Sequence, residues 1–129
     1  MIVQMTVRHF LERASLVYPD RIAVIDEPDQ PAQPWEPITY RQMAAKARSQ
    51  AATLDELGIE GGARVAIMTQ NSARQLVSFF GVSGWGRVLV PINFRLAPAE
   101  VKYIVEHSGA EVLMLDPELA HMAEHVDCK

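Results

Sequence analysis

Polar residues that could bind an anion follow two apolar runs of the sequence, where the predicted strands end. Thr69, Gln70, Asn71 and Ser72 come directly after the first run and precede a helix-length segment, and Arg95 follows the second run. A helix N-terminus offers free amides to an anion, and a guanidinium can bind phosphate through two hydrogen bonds. The first stretch lacks the glycines that let phosphate approach the backbone, so helix capping is favoured there. Arg95 lies at the edge where open α/β sheets bind ligands, although an ordinary surface arginine explains the same residue.

Three closely spaced glycines, Gly81, Gly84 and Gly86, have the composition of a nucleotide-binding loop. Such a loop follows a strand and opens a helix, so that backbone amides and the helix dipole meet the phosphate. Here the order is reversed, because a predicted helix precedes the glycines and a predicted strand follows them. The favoured interpretation is therefore a helix end and a tight turn.

The candidate metal ligands lie near the C-terminus. His121 and His125 are four residues apart on a predicted helix, with Cys128 nearby, so one face could offer nitrogen and sulfur ligands. The intervening residues lack the glutamate of the HExxH zinc motif, and the sequence holds no second ligand cluster. His9 and His107 stand alone, without the Ser or Cys partner of a nucleophilic site. The residues therefore predict no metal ligand and no catalytic group.

A strand, helix, strand unit around residues 64–96 organises the chain. The runs 65–68 and 88–92 are aliphatic without alternation, which is typical of parallel strands buried on both faces. Ser72 and Gln75 have the spacing of a capping box at the start of the intervening helix. The apolar residues of that helix are expected to face the sheet, namely Leu76, Val77, Phe79 and Phe80.

Helices and strands alternate along the rest of the sequence. Before the central unit, the patterns predict an amphipathic helix between Thr6 and Pro19, a strand at 22–25, an exposed proline-rich loop at 26–37 and a helix opened by a Thr39–Gln42 capping box and ended by Gly58. After it, they predict a helix from Pro98 to Gly109, a strand at 112–115 and a last helix opened by Asp116 and Pro117. Three parallel strands alternating with helices predict an α/β protein with an open, mainly parallel sheet and helices on both faces.

Length and composition narrow the class of protein. The 129 residues suffice for one domain, and no apolar run approaches the roughly 18 residues of a membrane-spanning helix. The apolar stretch at the start, MIVQMTVRHF, is too short and too interrupted for a secretory signal. The single Cys128 cannot form an internal disulfide, so we expect a cytoplasmic protein. The net charge is −4 and the basic residues are scattered, so a nucleic-acid partner is not expected.

A series of short motifs runs in order through most of the chain. They are Ile38-Thr39-Tyr40-Arg41-Gln42, Leu57-Gly58-Ile59, Gly62-Ala63-Arg64-Val65-Ala66-Ile67, Gln70-Asn71-Ser72, Val90-Pro91-Ile92-Asn93-Phe94-Arg95-Leu96 and His107-Ser108-Gly109-Ala110. In this order and spacing they resemble the beginning of an acyl-CoA synthetase, a member of the adenylate-forming (AMP-binding) enzyme superfamily. The likeness covers about residues 6–115, and its specificity comes from the whole series rather than from any one motif.

The resemblance implies a chemistry for a longer polypeptide, here called the parent. Such enzymes use ATP and Mg²⁺ to convert a carboxylic acid into an acyl-adenylate, then usually transfer the acyl group to coenzyme A. The phosphate-binding loop, the acidic residue on the ribose and the catalytic lysine have no match in residues 1–129. Arg95 matches the arginine that in some members binds the nucleotide phosphates of coenzyme A. Arg87 and Ala97 depart from the family pattern, and Arg87 could signal a rearranged turn.

We therefore expect residues 1–129 to form part of the N-terminal AMP-binding domain of an acyl-CoA synthetase, not catalytic alone and binding no cofactor well by itself. The alternative is a free-standing α/β binding or interaction module derived from such an enzyme. Expected partners are the remainder of the parent and its carboxylic acid substrate. Strands that need cover on both faces also predict marginal stability and self-association.

Overall fold

The computed structural model describes residues 5–129 and contains ten elements. The first four residues of the stretch considered as a secretory signal lie outside the described residues. The elements are α1 (Val7–Val17), β1 (Ile22–Val24), β2 (Ile38–Thr39), α2 (Tyr40–Glu56), β3 (Arg64–Met68), α3 (Ala73–Ser83), β4 (Val88–Pro91), α4 (Pro98–Ser108), β5 (Ala110–Leu115) and a 3₁₀ helix (Pro117–His125). The alternating order predicted from the sequence is confirmed, except that the last helix is of the 3₁₀ type rather than α-helical.

The main sheet has three parallel strands in the order β4-β3-β5. Val65 of β3 lies opposite Leu89 of β4 and Val112 of β5, so β3 is the central strand. β1 and β2 form a separate antiparallel pair. The predicted open parallel sheet is confirmed, but burial on both faces holds only for β3. Several residues of β4 and β5 are only half-buried, because each strand has one neighbour in the described chain.

Helices cover both faces of the sheet, and successive residues of β3 point to opposite layers. Val65 packs with Leu54, Ile59 and Val82 from the side of α2 and α3. Ala66 and Met68 belong to a second apolar cluster with Val101, Val105 and Met122, formed with α4 and the 3₁₀ helix. A third cluster joins α1, α2 and α3 outside the sheet. The α2–α3 layer is therefore buried between the sheet and α1.

The buried face of α3 differs from the predicted one. Val77 is buried and Phe80 half-buried, but Leu76 and Phe79 are 40% and 50% exposed. Two small residues of α3, Ser78 and Gly81, are buried against Gln50 and Ala47 of α2. A Cβ at Gly81 would lie 3.0 Å from the carbonyl oxygen of Ala47, so the close approach of the two helices requires glycine there. Gly81 lies inside the helix and does not end it.

Local capping follows the sequence at three of the predicted points. Thr39 and Gln42 form the predicted reciprocal box, with each side chain accepting a hydrogen bond from the other residue's backbone amide. Pro98 is the first residue of α4, and Gly109 ends that helix with a φ of +65°. At Ala97 the hydroxyl of a usual cap is missing, but Glu100 still accepts a hydrogen bond from the Ala97 amide at 2.8 Å.

Candidate functional site

An open cleft of about 680 Å³ lies at the carboxyl ends of β3 and β4. In parallel α/β sheets this edge is where ligands bind, because the loops that follow the strands converge there. Three segments form the walls: the loop after β1, the β3–α3 connection and the end of β4 with the following turn. The lining residues are Glu27, Asp29, Gln30, Pro31, Thr69, Gln70, Asn71, Gln75, Pro91, Ile92, Asn93, Phe94 and Arg95.

Arg95, the predicted binding residue, lies in this cleft. Its backbone amide donates to the side-chain oxygen of Asn93 at 3.0 Å, and the amide of Leu96 donates to the Asn93 carbonyl at 3.2 Å. These bonds fix a tight turn directly after β4. The guanidinium carbon lies 5.1 Å from the centroid of the Phe94 ring, and the residue is exposed. The turn therefore presents a cation to the cleft without burying it.

The cleft that contains Arg95 also has acidic lining residues. Glu27 and Asp29 come from the loop after β1 and line the same cleft. Among the described residues, Arg95 forms no ion pair within 4.0 Å of a carboxylate oxygen. A phosphate bound there would gain from Arg95 and be repelled by the carboxylates, so the described residues fit one phosphate contact but not a triphosphate with its metal ion.

Two buried carboxylates hold the β3–α3 connection. Asp26 accepts hydrogen bonds from the amides of Ala73 at 2.6 Å and Trp35 at 2.9 Å. Asp116, only 1% exposed, accepts one from the amide of Gln70 at 2.9 Å. Hydrogen bonds to a charged acceptor are stronger than neutral ones, and the bonds to Gln70 and Ala73 join residues 46 and 47 positions apart in sequence. The position of the cleft wall therefore depends on both aspartates.

The predicted capping box of Ser72 and Gln75 is wrong. Ser72 has the extended backbone of an N-cap residue, but its hydroxyl makes no capping bond and is buried without a hydrogen-bond partner. The carboxylate of Asp26 instead accepts a hydrogen bond from the first amide of the helix, that of Ala73. Because the amides of Gln70 and Ala73 already donate to carboxylates, they are not available to a bound anion. The anion-binding alternative for residues 69–72 is therefore disfavoured.

The sequence pattern predicted an exposed loop at 26–37, but parts of this loop are buried. Asp26 and Ala32 are buried, and Trp35 packs against the third apolar cluster. The Nζ atom of Lys46 lies 4.1 Å from the Trp35 ring centroid, and the guanidinium carbon of Arg74 lies 5.1 Å from it. Two cations over one indole stabilise the loop against α2 and α3. The four prolines indicated a loop correctly but carried no information about these distant partners.

Arg87, which departs from the family pattern, is a buried residue that makes structural hydrogen bonds. It is 5% exposed, and its Nε donates to the carbonyl of Ile59 at 2.8 Å. A second guanidinium nitrogen donates to the same carbonyl and to the carboxylate of Asp55. Gly86 before it takes a φ of +81°, which glycine adopts without strain. Arg87 thus ties the end of α2 to the start of β4.

The candidate metal ligands do not form a site. His121 and His125 are exposed on the 3₁₀ helix, and no group of three or more His, Cys, Asp or Glu side chains with metal-binding geometry occurs within residues 5–129. Burial raises the pKa of the Cys128 thiol, and the charge of Asp127 raises it further, while a hydrogen bond with the backbone of Leu113 acts in the opposite direction. A thiol with a raised pKa is a weaker nucleophile at neutral pH.

Sequence reasoning missed Asp26 and assigned Asp116 to the cap of the last helix. The structure shows no capping bond from the Asp116 side chain to that helix. Both aspartates directly follow the apolar run of a strand, in the same way as Thr69 does. A search for every polar residue at the carboxyl end of a predicted strand would therefore have found them.

These features define the class as an open α/β protein with a cleft at the carboxyl edge of its parallel sheet. The sequence model of the AMP-binding enzyme family matches residues 11–129. The chain therefore belongs to the AMP-binding enzyme family. Among the residues 5–129, no helix is both long enough and apolar enough to cross a bilayer.

Individual relatives are acyl-CoA ligases. The chain is 35% identical to 4-hydroxybutyrate–CoA ligase 2 of Metallosphaera sedula over 92% of its own length and 20% of that protein. It is 39% identical to a long-chain-fatty-acid–CoA ligase of Thermus thermophilus over 68% of its length and 16% of that protein. Among solved structures, the N-terminal domain of FACL13 from Mycobacterium tuberculosis aligns with a TM-score of 0.81 and 34% identity, covering 94% of this chain and 29% of that one. The chain thus matches the N-terminal region of such ligases and spans about a fifth of the length of the curated relatives it matches.

Removal of the Asp26 carboxylate tests its role at the start of α3. We expect Asp26→Ala to lower the free energy of unfolding by about 2–4 kcal/mol, because two backbone amides lose a charged acceptor. Asp20→Ala is the control, since Asp20 forms only an exposed ion pair with Arg41. That variant should change stability by less than about 0.5 kcal/mol. Urea titrations of both variants give the comparison, and equal effects would contradict the assignment.

Proposed function

We propose that this chain is the N-terminal part of an ATP-dependent acyl-CoA ligase, in which it forms one wall of the coenzyme A region. The observation that carries the proposal is the position of Arg95, on a fixed turn at the carboxyl end of β4, in a chain whose relatives are named as CoA ligases. The parent would convert a carboxylic acid, ATP and coenzyme A into acyl-CoA through an acyl-adenylate, acting in the cytoplasm, with fatty acid metabolism as one setting.

The residues of this chain have a limited part in that reaction. Arg95 would bind a phosphate of coenzyme A through its guanidinium, and the turn at Asn93 would hold it at the strand end. Asp26 and Asp116 would hold the β3–α3 connection, which forms another part of the cleft wall, in place without contacting substrate. ATP and Mg²⁺ would supply the activation of the carboxylate, held by residues of the parent outside this chain.

The first test concerns adenylation. We expect residues 1–129 alone to show no carboxylate-dependent exchange of pyrophosphate into ATP, because the cleft contains one cation and no site for a triphosphate. The parent should catalyse the exchange with its own acid. Radiolabelled pyrophosphate measures both, with a reaction lacking carboxylate as the blank. Exchange by residues 1–129 above this blank would overturn the proposal that the chain is not catalytic alone.

The second test concerns Arg95 in the parent. Arg95→Ala should raise the apparent KM for coenzyme A by about 10- to 100-fold, the effect of losing one charged hydrogen-bond pair, while adenylation stays unchanged. Arg95→Lys, which keeps the charge but not the planar fork, should lie between the wild type and Arg95→Ala. Arg64→Ala, at the amino end of β3, is the matched control. Unaltered thioesterification kinetics in Arg95→Ala would show an ordinary surface arginine.

The third test concerns association, which we propose for residues 1–129 in isolation. α1 exposes several large apolar side chains on the face away from Leu11, among them Phe10 (60%) and Leu16 (81%). An exposed apolar patch of this kind favours self-association. We expect the chain to elute above its 14.4 kDa monomer mass in size-exclusion chromatography with light scattering.

A double variant separates this patch from general instability. Phe10→Ser with Leu16→Ser should restore the monomer, whereas Tyr103→Ser, which removes an equally exposed aromatic ring from α4, should not. A monodisperse monomer that unfolds cooperatively in the ordinary mesophilic range would instead support the free-standing module.

A further inference from the structure

The two carboxylates that line the cleft belong to one tight turn. Glu27 and Asp29 flank Pro28, and the amide of Gln30 donates to the Glu27 carbonyl at 3.4 Å. Proline suits the second position of such a turn because its fixed φ matches the geometry required there. Glu27, Pro28 and Asp29 are exposed, whereas Gln30 is half-buried and the polar atoms of its side chain are fully buried. The turn therefore exposes its carboxylates and packs its last residue inward.

Contacts on both sides of the turn fix its position. Asp26, directly before the turn, is held by the amides of Ala73 and Trp35. Ala32, just after the turn, is fully buried, and Trp35 packs against the third apolar cluster. A loop that is held at both ends keeps Glu27 and Asp29 at the cleft. Their charges are therefore a lasting property of the site.

The charged residues of the cleft do not balance. Arg95 contributes one positive charge against two negative charges from Glu27 and Asp29, and the other lining residues are uncharged. Within residues 5–129, none of these three side chains forms an ion pair. Charges act over about a Debye length, roughly 8 Å at physiological ionic strength. A cleft of about 680 Å³ is small enough for all three charges to act on one ligand.

Thiol acceptors differ in the number of phosphates that they bring to such a cleft. Pantetheine 4′-phosphate has a single phosphate, and coenzyme A joins this unit to an adenine nucleotide with further phosphates. The guanidinium of Arg95 can bind one phosphate through two hydrogen bonds. Each further phosphate would be repelled by carboxylates that no cation of the cleft neutralises. The excess negative charge of the cleft therefore acts most strongly on the nucleotide part of coenzyme A.

We propose that Glu27 and Asp29 are specificity-determining residues for the acceptor thiol. Their charges weaken the binding of acceptors with several phosphates, so that coenzyme A binds less tightly than Arg95 alone would allow. The same repulsion acts on an acyl-CoA product, which keeps the nucleotide, and favours its release. The inference rests on the proposed function, because it assigns the cleft to the acceptor of an acyl-CoA ligase. Both residues act through their charge and contact no reacting atom.

Removal of the two charges in the parent tests the proposal. Glu27→Gln with Asp29→Asn keeps the size of both side chains, and we expect the apparent KM for coenzyme A to fall about 3- to 10-fold at low ionic strength. In about 1 M NaCl the difference from the wild type should shrink to less than about twofold, because salt screens exposed charges. Each single replacement should give a smaller change in the same direction. An unchanged KM would overturn the proposal.

A matched control separates the cleft from the net charge of the protein. Asp20→Asn with Glu36→Gln removes the same charge from two exposed side chains that do not line the cleft. This variant should leave the KM for coenzyme A within about twofold of the wild type. A fall in KM as large as that of the cleft variant would show a general charge effect and would also overturn the proposal.

A comparison of acceptors tests specificity directly. We expect the ratio of kcat/KM for coenzyme A to kcat/KM for pantetheine 4′-phosphate to rise at least about threefold in the cleft variant, because the acceptor with more phosphates gains more from the loss of repulsion. A change confined to local structure would alter both acceptors alike. An unchanged ratio, with a lower KM for both thiols, would place the repulsion on the shared phosphate and overturn the assignment.

Failure of this inference can be distinguished from failure of the proposed function. A parent that forms an acyl-adenylate but transfers the acyl group to neither thiol would refute the acyl-CoA ligase function. A parent that forms acyl-CoA, but whose KM and acceptor ratio do not respond to the cleft variant, would refute the role of Glu27 and Asp29 and leave the function standing.

Discussion

The position of the cleft wall depends on two buried aspartates. They bind the two ends of the short connection between β3 and α3. The Asp26 carboxylate accepts a hydrogen bond from the first amide of α3, and the Asp116 carboxylate accepts one from the amide of Gln70, just after β3. A carboxylate loses much of its hydration when it is buried, so it is stable there only if backbone or side-chain donors replace the water. Each interaction therefore acts in two directions: the amides replace part of the lost hydration of the carboxylates, and the carboxylates fix the position of the amides.

The α2–α3 layer shows the same dependence on single residues. Gly81 allows the two helices to approach, and Arg87 ties the end of α2 to the start of β4 through the carbonyl of Ile59. The guanidinium is almost fully buried, whereas the side chain of its partner Asp55 is 67% exposed. Much of the stabilisation by Arg87 thus comes from its hydrogen bonds to the Ile59 carbonyl, since an ion pair with one solvated partner contributes little.

The cleft itself is chemically simple. The lining includes the Arg95 guanidinium and the carboxylates of Glu27 and Asp29, while the first amide of α3 already donates to Asp26. Such a site can orient one anionic group, but it cannot neutralise the charge of a triphosphate. This agrees with a chain that spans about a fifth of the length of the curated relatives it matches.

The sequence by itself determined the elements and their order. Hydrophobic runs fixed the three parallel strands, and local pairs such as Thr39 with Gln42, or Pro98 with Gly109, fixed helix ends, because these interactions join residues close together in the chain. The position of Arg95 at a strand end followed from the same pattern.

Only the tertiary structure decided which residues hold these elements together. Asp26 caps a helix 47 residues away, and Arg87 binds a carbonyl 28 residues away. The exposed Phe79 and the buried Gly81 show that the buried face of α3 was chosen by contact with α2 rather than by hydrophobicity alone. Periodicity along the chain reports that a residue will be buried, but the partner that buries it is set by packing between distant segments.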